Sequence, residues 1–382
     1  MKLKERKMVV LNQAANYLTI GVCNEFVNAG FEVVLITGSV HVQGEPLSHK
    51  IKIDPIIKWQ EEHGIKKGFV YIQAMWSMWW KLMMKYSRHE VFFISVPPMA
   101  YLLNLILPHR FSMLIWDVYP DVLKITGMKE EHRVYRIWSQ LNRFSFKKAY
   151  KLFTIGEVMK GLLSNYTNRQ ILVQPIWSIF QENNKIAKEK NPFVQEHKLE
   201  NKLVVQYSGN IGFTHKVELM LELAERLKEN QDILFQIIGR GPRKLELEKL
   251  VKEKKLENCQ FLPFQSDEIF PFSISAADLG IVILDEQAST GSVPSKSYNL
   301  MSYGIPSLYL ASADSELNFY ARHYEHAACF TEKQLDQAAE FILKAMTNRQ
   351  AYEKMVCNSL LASQHFKRDN AQKLVMKYLD AS

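Results

Sequence analysis

Short apolar segments alternate with amphipathic helices along the second half of the chain. The apolar segments are KLVVQYSG, ILFQIIGRG, CQFLPF, DLGIVIL and PSLYLA. Between the first two, Val217, Met220, Leu221 and Ala224 recur at helical spacing. Buried strands that alternate with helices form a parallel sheet that is covered on both faces. The pattern therefore predicts a doubly wound α/β domain whose ligand crevice lies at the carboxyl ends of the strands.

The first half of the chain repeats this alternation less regularly. Its predicted strands are KMVVLNQ, FEVVLITGS, EVFFISVPP, FSMLIWDVYP and KLFTIGE. We therefore predict two Rossmann-like doubly wound domains that face each other across a cleft. Their expected bounds are 1–176 for the N-terminal domain, 177–200 for a polar linker and 201–365 for the C-terminal domain, with a helix at about 366–382 that packs back on the first domain.

Composition and charge restrict the classes of function. The hydrophobic content of 47% and charged content of 23% are typical of a soluble globular protein. No apolar run reaches the ~18 residues of a membrane span, and the N-terminus lacks the pattern of a signal peptide. The four cysteines form no CxxC pair, which indicates free thiols in a reducing cytoplasm rather than a zinc site or disulfides.

All of the net positive charge lies in the first half. Residues 1–176 hold 23 Lys and Arg against 13 Asp and Glu, whereas the remainder is slightly acidic. This asymmetry indicates an anionic partner for the first half, with a merely basic surface as the alternative.

Three loops follow predicted strands of the second half and should meet at one edge of its sheet. They are residues 209–212, 239–242 and 290–296. Together they supply backbone N–H groups, small residues and Lys296, which suits a diphosphate. For any one loop, an ordinary turn between strand and helix is the alternative. Neither a complete G-x-G-x-x-G nor a G-x-x-x-x-G-K-[ST] is present, so dehydrogenase and P-loop functions are disfavoured.

Four segments resemble, in order and spacing, the donor-binding half of glycosyltransferase family 4, the retaining enzymes with the GT-B fold. They are YSGNIG with VELMLELAERL, IIGRGPRKLELEKL, CQFLPFQSDEIFPFSISAADLGIVIL and GSVPSKSYNLMSYGIPSLYL. The last resembles most the branch that makes bacterial capsule, O-antigen and exopolysaccharide. WDVYPDVL and VQPIW are similar to the first domain and crossover of that branch.

The resemblance implies a UDP- or GDP-linked sugar donor as substrate and no separate cofactor. It implies Asp117 and Lys296 as catalytic residues. The donor-binding candidates are Gly209, Asn210, Gly212, Lys216, Gly239, Arg240, Gly241, Phe264, Ser292, Val293, Pro294, Ser295, Lys296 and Asn299.

The chain departs from the family pattern at several of these positions. Two glutamates of the family are replaced by Gly291 and Asn299. Asn299 still carries a hydrogen-bonding oxygen, whereas the role of the first glutamate would fall to Thr290, Ser292 or water. A basic residue of the family is replaced by Asn210, and its His-Asp pair becomes Trp116 with Asp117.

The resemblance implies sugar transfer with retention of anomeric configuration, in which Lys296 and loop amides stabilise charge on the leaving diphosphate. No D-x-D pair occurs, which favours a metal-independent site over the metal-chelating GT-A class. Asp117 is the candidate for holding or deprotonating the acceptor hydroxyl, with a helix-capping or salt-bridge role as the alternative.

Two segments of the first half combine aromatic and basic residues. They are 71–89, with three tryptophans, and 132–151, with six Lys and Arg. Such helices suit the surface of an anionic membrane, although helices whose aromatics face the core are the alternative. We therefore expect a lipid-linked saccharide acceptor and a peripheral position on the inner face of the cytoplasmic membrane. A nucleic-acid partner is disfavoured, because no basic stripe or known module accompanies the charge.

Two rival functions use the same features. A sugar-nucleotide epimerase would share the donor half of the fold. A non-catalytic subunit with the GT-B fold would instead support a partner transferase. The loss of glutamate at Gly291 and of histidine at Trp116 favours this function, whereas the intact set of loops and Lys296 count against it.

Overall fold

The computed structural model describes residues 6–59, 65–180, 185–212, 215–286 and 290–380. The chain divides into two compact units. The first comprises residues 1–179 and 367–382, and the second comprises residues 180–366.

Parallel strands form the centre of each unit. The strands are β1 (Arg6–Leu11), β2 (Ala14–Ala15), β3 (Phe31–Thr37), β4 (Ser39–Val40), β5 (Lys52–Pro55), β6 (Glu90–Ile94), β7 (Phe111–Ile115), β8 (Leu152–Thr154), β9 (Ile171–Val173), β10 (Leu203–Asn210), β11 (Ile233–Arg240), β12 (Cys259–Leu262), β13 (Leu279–Ile283), β14 (Ser307–Leu310) and β15 (Ala327–Phe330). The first unit has a seven-stranded sheet in the order β5-β3-β1-β6-β7-β8-β9, beside the short pair β2-β4. The second has a six-stranded sheet in the order β12-β11-β10-β13-β14-β15.

Helices connect these strands. They are α1 (Tyr17–Asn28), α2 (Ile65–Met84), α3 (Arg133–Lys148), α4 (Glu157–Ser164), α5 (Pro192–Glu196), α6 (Glu218–Arg226), α7 (Lys244–Glu253), α8 (Phe270–Ser275), α9 (Lys296–Ser302), α10 (Glu316–Tyr324), α11 (Leu335–Thr347), α12 (Arg349–Ser363) and α13 (Asn370–Leu379). Short 3₁₀ helices span Ala100–Leu105, Asp121–Thr126, Lys188–Lys190 and Glu332–Gln334. Within the described ranges, no helix combines the length and apolarity needed to cross a bilayer.

The predicted doubly wound architecture is confirmed in both units. In the second sheet the chain starts at the central strand β10, moves outward through β11 and β12, and then returns to the other side at β13. This reversal creates a topological switch point between β10 and β13, which is where ligands bind in open α/β sheets. The first sheet has the corresponding reversal between β1 and β6.

The second sheet is covered on both faces, as its near-continuous apolar strands require. Tyr207, Phe235 and Ile281 are buried in its core. A polar ladder crosses the sheet, because the side chains of Gln206, Gln236 and Gln260 are in register and hydrogen bonded in sequence, each at 2.9 Å. The ladder satisfies buried amides that would otherwise be costly.

The C-terminal helix α13 belongs to the first unit. The ring of Tyr378 packs edge-on against Phe26, Phe31 and Phe92. Just before the helix, Arg368 pairs with carboxylates of the same unit, including Glu25 at 3.1 Å.

The segment 177–200, for which the sequence predicts a linker, is divided between the two units. Trp177 is buried in the first, and its carbonyl accepts a hydrogen bond from Tyr17 Oη at 3.1 Å. The short helix α5 buries Phe193 and Val194 in the core of the second. Asn191 caps that helix by accepting from the Phe193 amide at 3.0 Å. The polar composition of the segment hides this apolar pair, which anchors its C-terminal half.

Candidate functional site

The loops after β10 and β11 lie against each other at the carboxyl edge of the second sheet. Gly209 is paired in register with Gly239. A Cβ on Gly239 would lie only 1.9 Å from the Gly209 carbonyl oxygen, and one on Gly241 would lie 2.3 Å from the carbonyl oxygen of Ile211. Neither position accepts a larger residue without a backbone shift, so these glycines permit the close approach of two backbones.

The loop before α9 reaches the same place through Lys296. A Cβ on Gly209 would lie 2.9 Å from Lys296 Nζ, and Gly209 has a φ of +155° that favours glycine. The three loops that the sequence predicts to converge are therefore in contact at the switch point.

Lys296 is the first residue of α9, and its amine lies in an apolar environment. Its Nζ is shielded from solvent and has no hydrogen-bond partner among the described residues, although the residue as a whole is half-buried. The amine lies 3.9 Å from the centre of the Tyr207 ring. Burial lowers the pKa of Lys296 to about 7, because the charged form is poorly solvated there.

A small cavity of about 50 Å³ adjoins this amine. Its polar lining comes from Lys296 and Asn299 of α9 and from Gln206 and Ser208 of β10, and the rest of its lining is apolar: Phe270, Ile274, Ile281 and Leu300. An unpaired buried amine beside polar side chains is a site at which an anion would restore the missing interactions. This arrangement could hold a phosphate group.

His215 also lies near Lys296. Burial, and then the charge of Lys296, lower the pKa of His215 to about 4, so its imidazole is neutral. Its Nδ1 is buried and has no partner among the described residues. Sequence reasoning missed His215, which stands in no recognisable motif. It also missed the contact between the Tyr207 ring and Lys296 Nζ, because Tyr207 lies in a segment with the pattern of an ordinary core strand.

Lys216, a predicted ligand of the diphosphate, is held by carboxylates. Its Nζ lies 3.1 Å from Asp285 and forms a closer ion pair with Glu332. Although burial opposes its charge, hydrogen bonds to Glu332 and Asp285 raise the pKa of Lys216. The amine is thus charged but already neutralised, and its contact with a diphosphate stays a prediction.

Arg240 and Phe264 follow the neighbouring strands β11 and β12. The Arg240 guanidinium lies 4.9 Å from the centre of the Phe264 ring, in a cation–π contact. Phe264 is 54% exposed, so its side chain is accessible to a planar ligand. In the loop after β10, the Asn210 amide nitrogen lies 3.2 Å from where a Cβ on Gly212 would stand. The absence of a side chain at Gly212 therefore leaves room for Asn210.

Residues 292–295 form the turn that leads into α9. Val293 is buried, Ser292 and Pro294 are half-buried and Ser295 is exposed. The Pro294 carbonyl accepts from the Ser297 amide at 3.2 Å, and the Ser295 carbonyl accepts from the Tyr298 amide at 3.1 Å. Those two amides are thus engaged inside the turn, and any ligand contact would fall to the amides before them.

Asp117 lies just after β7 in the first unit, whereas the other candidates belong to the second. It is half-buried, and the neighbouring Trp116 amide donates to Ser95 Oγ at 2.9 Å. Burial, and then the charge of Asp117, raise the pKa of Tyr119. The position at the carboxyl end of a parallel strand suits a functional carboxylate.

Across the described ranges, no group of three or more His, Cys, Asp or Glu residues is placed to hold a metal ion. Metal independence stays a prediction.

Comparison with known sequences identifies similarity to carbohydrate-active proteins. The family model of glycosyl transferases group 1 matches residues 188–360. A putative colanic acid biosynthesis glycosyl transferase, WcaI of Escherichia coli K12, is 35% identical over 118 residues, which are 31% of this chain and 29% of the relative. The probable glycosyltransferase WbjE of Pseudomonas aeruginosa is 27% identical over 223 residues, 57% of this chain and 55% of the relative. The matches therefore span about half, or less, of the relatives' lengths.

Solved structures resemble the whole chain in fold. WaaG, a glycosyltransferase involved in lipopolysaccharide biosynthesis, superimposes with a TM-score of 0.71 at 13% identity, over 98% of this chain and all of WaaG. Sucrose-phosphate synthase from Thermosynechococcus elongatus superimposes with a TM-score of 0.74 at 12% identity, over 98% of both chains. Anabaena HepE in complex with UDP and glucose gives 0.70 at 12% identity, over 98% of this chain and 99% of HepE. At such identities the likeness concerns the fold, which is GT-B.

Proposed function

We propose that the protein transfers a sugar from a nucleotide-sugar to a lipid-linked or polysaccharide acceptor in cell-surface glycan synthesis, because residues 188–360 match the family model of glycosyl transferases group 1 and the fold is GT-B. The observation that carries this proposal is the buried amine of Lys296 at the switch point of the second sheet, which has no hydrogen-bond partner among the described residues. A diphosphate is the ligand chemistry that satisfies it best.

The donor would occupy the second unit. Its diphosphate would meet Lys296 and the backbone at Gly209, and a ribose hydroxyl would donate to Asn299. The exposed ring of Phe264 suits stacking with the base. The solved complex of HepE with UDP and glucose supports a nucleotide in this fold. We propose a UDP- or GDP-linked donor and no other cofactor.

The proposed reaction breaks the bond between the anomeric carbon and the diphosphate oxygen and forms a bond from that carbon to an acceptor oxygen. The acceptor hydroxyl gives its proton to the Asp117 carboxylate, and the nucleoside diphosphate leaves with the bonding electron pair. Lys296 stabilises the negative charge that develops on the leaving oxygen, without a metal ion. Gly291 carries no side chain that could form a covalent intermediate, so we propose that the acceptor attacks on the face from which the diphosphate leaves, with retention of configuration.

The basic charge of the first unit supports our proposals for the acceptor and for the cellular location of the protein. Its surplus of basic residues suits an anionic membrane surface, and a lipid-linked saccharide would be presented there. We therefore propose a peripheral position on the inner face of the cytoplasmic membrane.

A second candidate function is a non-catalytic subunit that supports a partner transferase. It is favoured by the replacement of the family glutamate by Gly291 and by the ion pairs that occupy Lys216. Such a subunit would bind the nucleotide without turning over a sugar donor.

The test is a donor assay on a panel of UDP-, GDP- and ADP-sugars, with and without membrane lipid extract as the source of acceptor. Release of nucleoside diphosphate that rises with the extract and is lost in Asp117→Asn supports a transferase. Conversion of the donor sugar to its epimer would instead indicate an epimerase. Nucleotide binding without any turnover would assign the chain to the non-catalytic class.

A further inference from the structure

The outer face of α3 carries apolar side chains, and every charged residue of the helix itself is basic. Val134, Ile137 and Phe144 are exposed on it, although each is apolar. The helix contains five Lys and Arg and no Asp or Glu: Arg133, Arg136, Arg143, Lys147 and Lys148. A helix face of this composition suits the interface of an anionic bilayer.

The outer face of α2 is similar. Phe69, Ile72, Trp76, Trp80 and Met83 are exposed and recur at helical spacing, so they form one stripe along the helix. The alternative, in which the aromatic residues face the core, does not hold for two of the three tryptophans, because Trp76 is 64% and Trp80 52% exposed.

The opposite face of α2 is fixed to its own unit. Ala74, Met78 and Leu82 are buried, and the Lys81 amine forms an ion pair with the buried Asp54 carboxylate. The exposed stripe therefore cannot turn inward.

An apolar groove of about 540 Å³ lies between these two helices, within the range of small-molecule pockets. Its walls include Gly68, Ile72 and Met75 from α2, Trp138 from α3, and Pro98 and Leu123 from the segments between them. Ile72 both lines the groove and belongs to the exposed stripe of α2, so the groove opens onto the apolar surface.

We infer that this groove holds the hydrocarbon chain of the membrane lipid that carries the acceptor. The inference rests on the proposed function in taking the acceptor to be lipid-linked. The groove is apolar enough for a hydrocarbon chain. The helix α3, which contributes Trp138 to its wall, also carries five cations that complement a phosphate headgroup or anionic neighbours in the bilayer. A chain drawn into the groove would fix the position of its attached saccharide relative to the carboxyl edge of the first sheet.

The test fills the groove without disturbing the fold. Gly68 is exposed on α2, and a Cβ there would meet nothing within 4 Å, so Gly68→Phe should fold while its ring occupies the groove. Gly161→Phe is the matched control, because Gly161 is also exposed on a helix of the same unit with equally open space. Both substitutions remove a helix glycine, which favours the helix.

Binding of dodecyl phosphate at monomeric concentration would be measured by calorimetry, with inorganic phosphate as the headgroup control. We expect wild type and Gly161→Phe to bind dodecyl phosphate alike and Gly68→Phe to bind it at least about tenfold more weakly, the effect of about two methylene groups left in water. Binding of inorganic phosphate should be the same in all three. Equal affinity of the three proteins for dodecyl phosphate, or no binding by wild type, would overturn the inference.

Thermal shift with UDP and GDP separates this inference from the proposed function. A nucleotide shift that is equal in the three proteins supports the proposed function and shows that the variants fold. Absence of any nucleotide shift, together with loss of dodecyl phosphate binding in Gly68→Phe alone, would contradict the proposed function and support the groove as a hydrocarbon site. If wild type forms a dimer that Gly68→Phe abolishes and Gly161→Phe does not, and if none of the proteins binds dodecyl phosphate, the groove is an interface between two copies of the chain. That result would refute the inference.

Discussion

Binding of a nucleoside diphosphate should transfer a proton from solvent to Lys296 above neutral pH. In the empty site the amine has a pKa of about 7, because it is buried without a hydrogen-bond partner among the described residues. A diphosphate at hydrogen-bond distance favours the ammonium form and returns the pKa toward its ordinary value of about 10.4. The bound complex would then carry a proton that the empty protein lacks.

The size of the effect follows from the pKa. At about pH 8 only about one tenth of empty sites hold the proton, so binding should take up about 0.9 proton per site. At about pH 6 nearly all empty sites are already charged, and the uptake should fall to about 0.1 proton. Above pH 7 the affinity should therefore fall by up to about tenfold per pH unit.

Calorimetry at fixed pH, in buffers that differ in ionisation enthalpy, measures this uptake directly. The groups that face the amine are the Tyr207 ring and the neutral imidazole of His215. His215→Asn is therefore the control, and it should keep the uptake if Lys296 is the acceptor. Lys296→Arg, whose guanidinium is always charged, should show none. Uptake near zero in wild type at pH 8, or uptake lost in His215→Asn, would refute the assignment.

The same pKa has a consequence for stability. Between pH 7 and the ordinary lysine pKa, Lys296 holds a proton in the unfolded chain that it lacks in the empty folded protein. The free energy of unfolding therefore rises with pH over this range. From pH 7 to pH 9 the gain should be about 2 kcal/mol relative to Lys296→Met, which has no titrating amine there. Urea unfolding of both proteins at the two pH values measures this difference.

Three further predictions concern the donor, the chemistry and the membrane. Phe264→Ala should weaken nucleotide affinity by about 1–2 kcal/mol in calorimetry through lost stacking, whereas Leu245→Ala, at another exposed apolar position of the same unit, should leave it unchanged. Asp117→Asn should lower turnover without changing nucleotide affinity. Wild-type turnover should be unchanged in EDTA, and a loss of turnover that Mg²⁺ restores would contradict a metal-independent site. Wild type should co-sediment with phosphatidylglycerol vesicles at low salt and less at high salt, and Trp76→Ser with Trp80→Ser should weaken this. Protein that stays in the supernatant at low salt would refute membrane binding.

The sequence predicts the central strands well because each is a continuous apolar run. The edge strand β12 was predicted as CQFLPF, whereas the edge strands β5 and β15 were missed because they lack this signal. β5 exposes Lys52, Ile53 and Pro55, and β15 is only half-buried throughout, so neither shows the pattern of a buried strand. Burial on both faces is what makes a parallel strand recognisable, and an edge strand has less of it.

The candidate site was predictable in position but not in electrostatics. The three glycine-containing loops indicate the carboxyl edge from chain order alone. The partners of Lys216 could not be predicted, because Glu332 lies 116 residues further along the chain. Lys296 Nζ lacks a hydrogen-bond partner among the described residues, and this depends on the packing of Tyr207 and on the absence of a side chain at Gly209. A sequence pattern does not encode either feature.

The two lysines of the site are in opposite states, and this difference bears on how an anion would be recognised. Lys216 is charged but faces two carboxylates, so this cluster has no net positive charge to offer a diphosphate. Lys296 has no such partner in the described structure, and its charge is suppressed by burial. The donor would therefore be attracted mainly once its diphosphate lies beside Lys296, because the diphosphate then favours the charged form of that amine. A ligand with too little charge to restore that form should bind weakly, which would favour a diphosphate over singly charged anions.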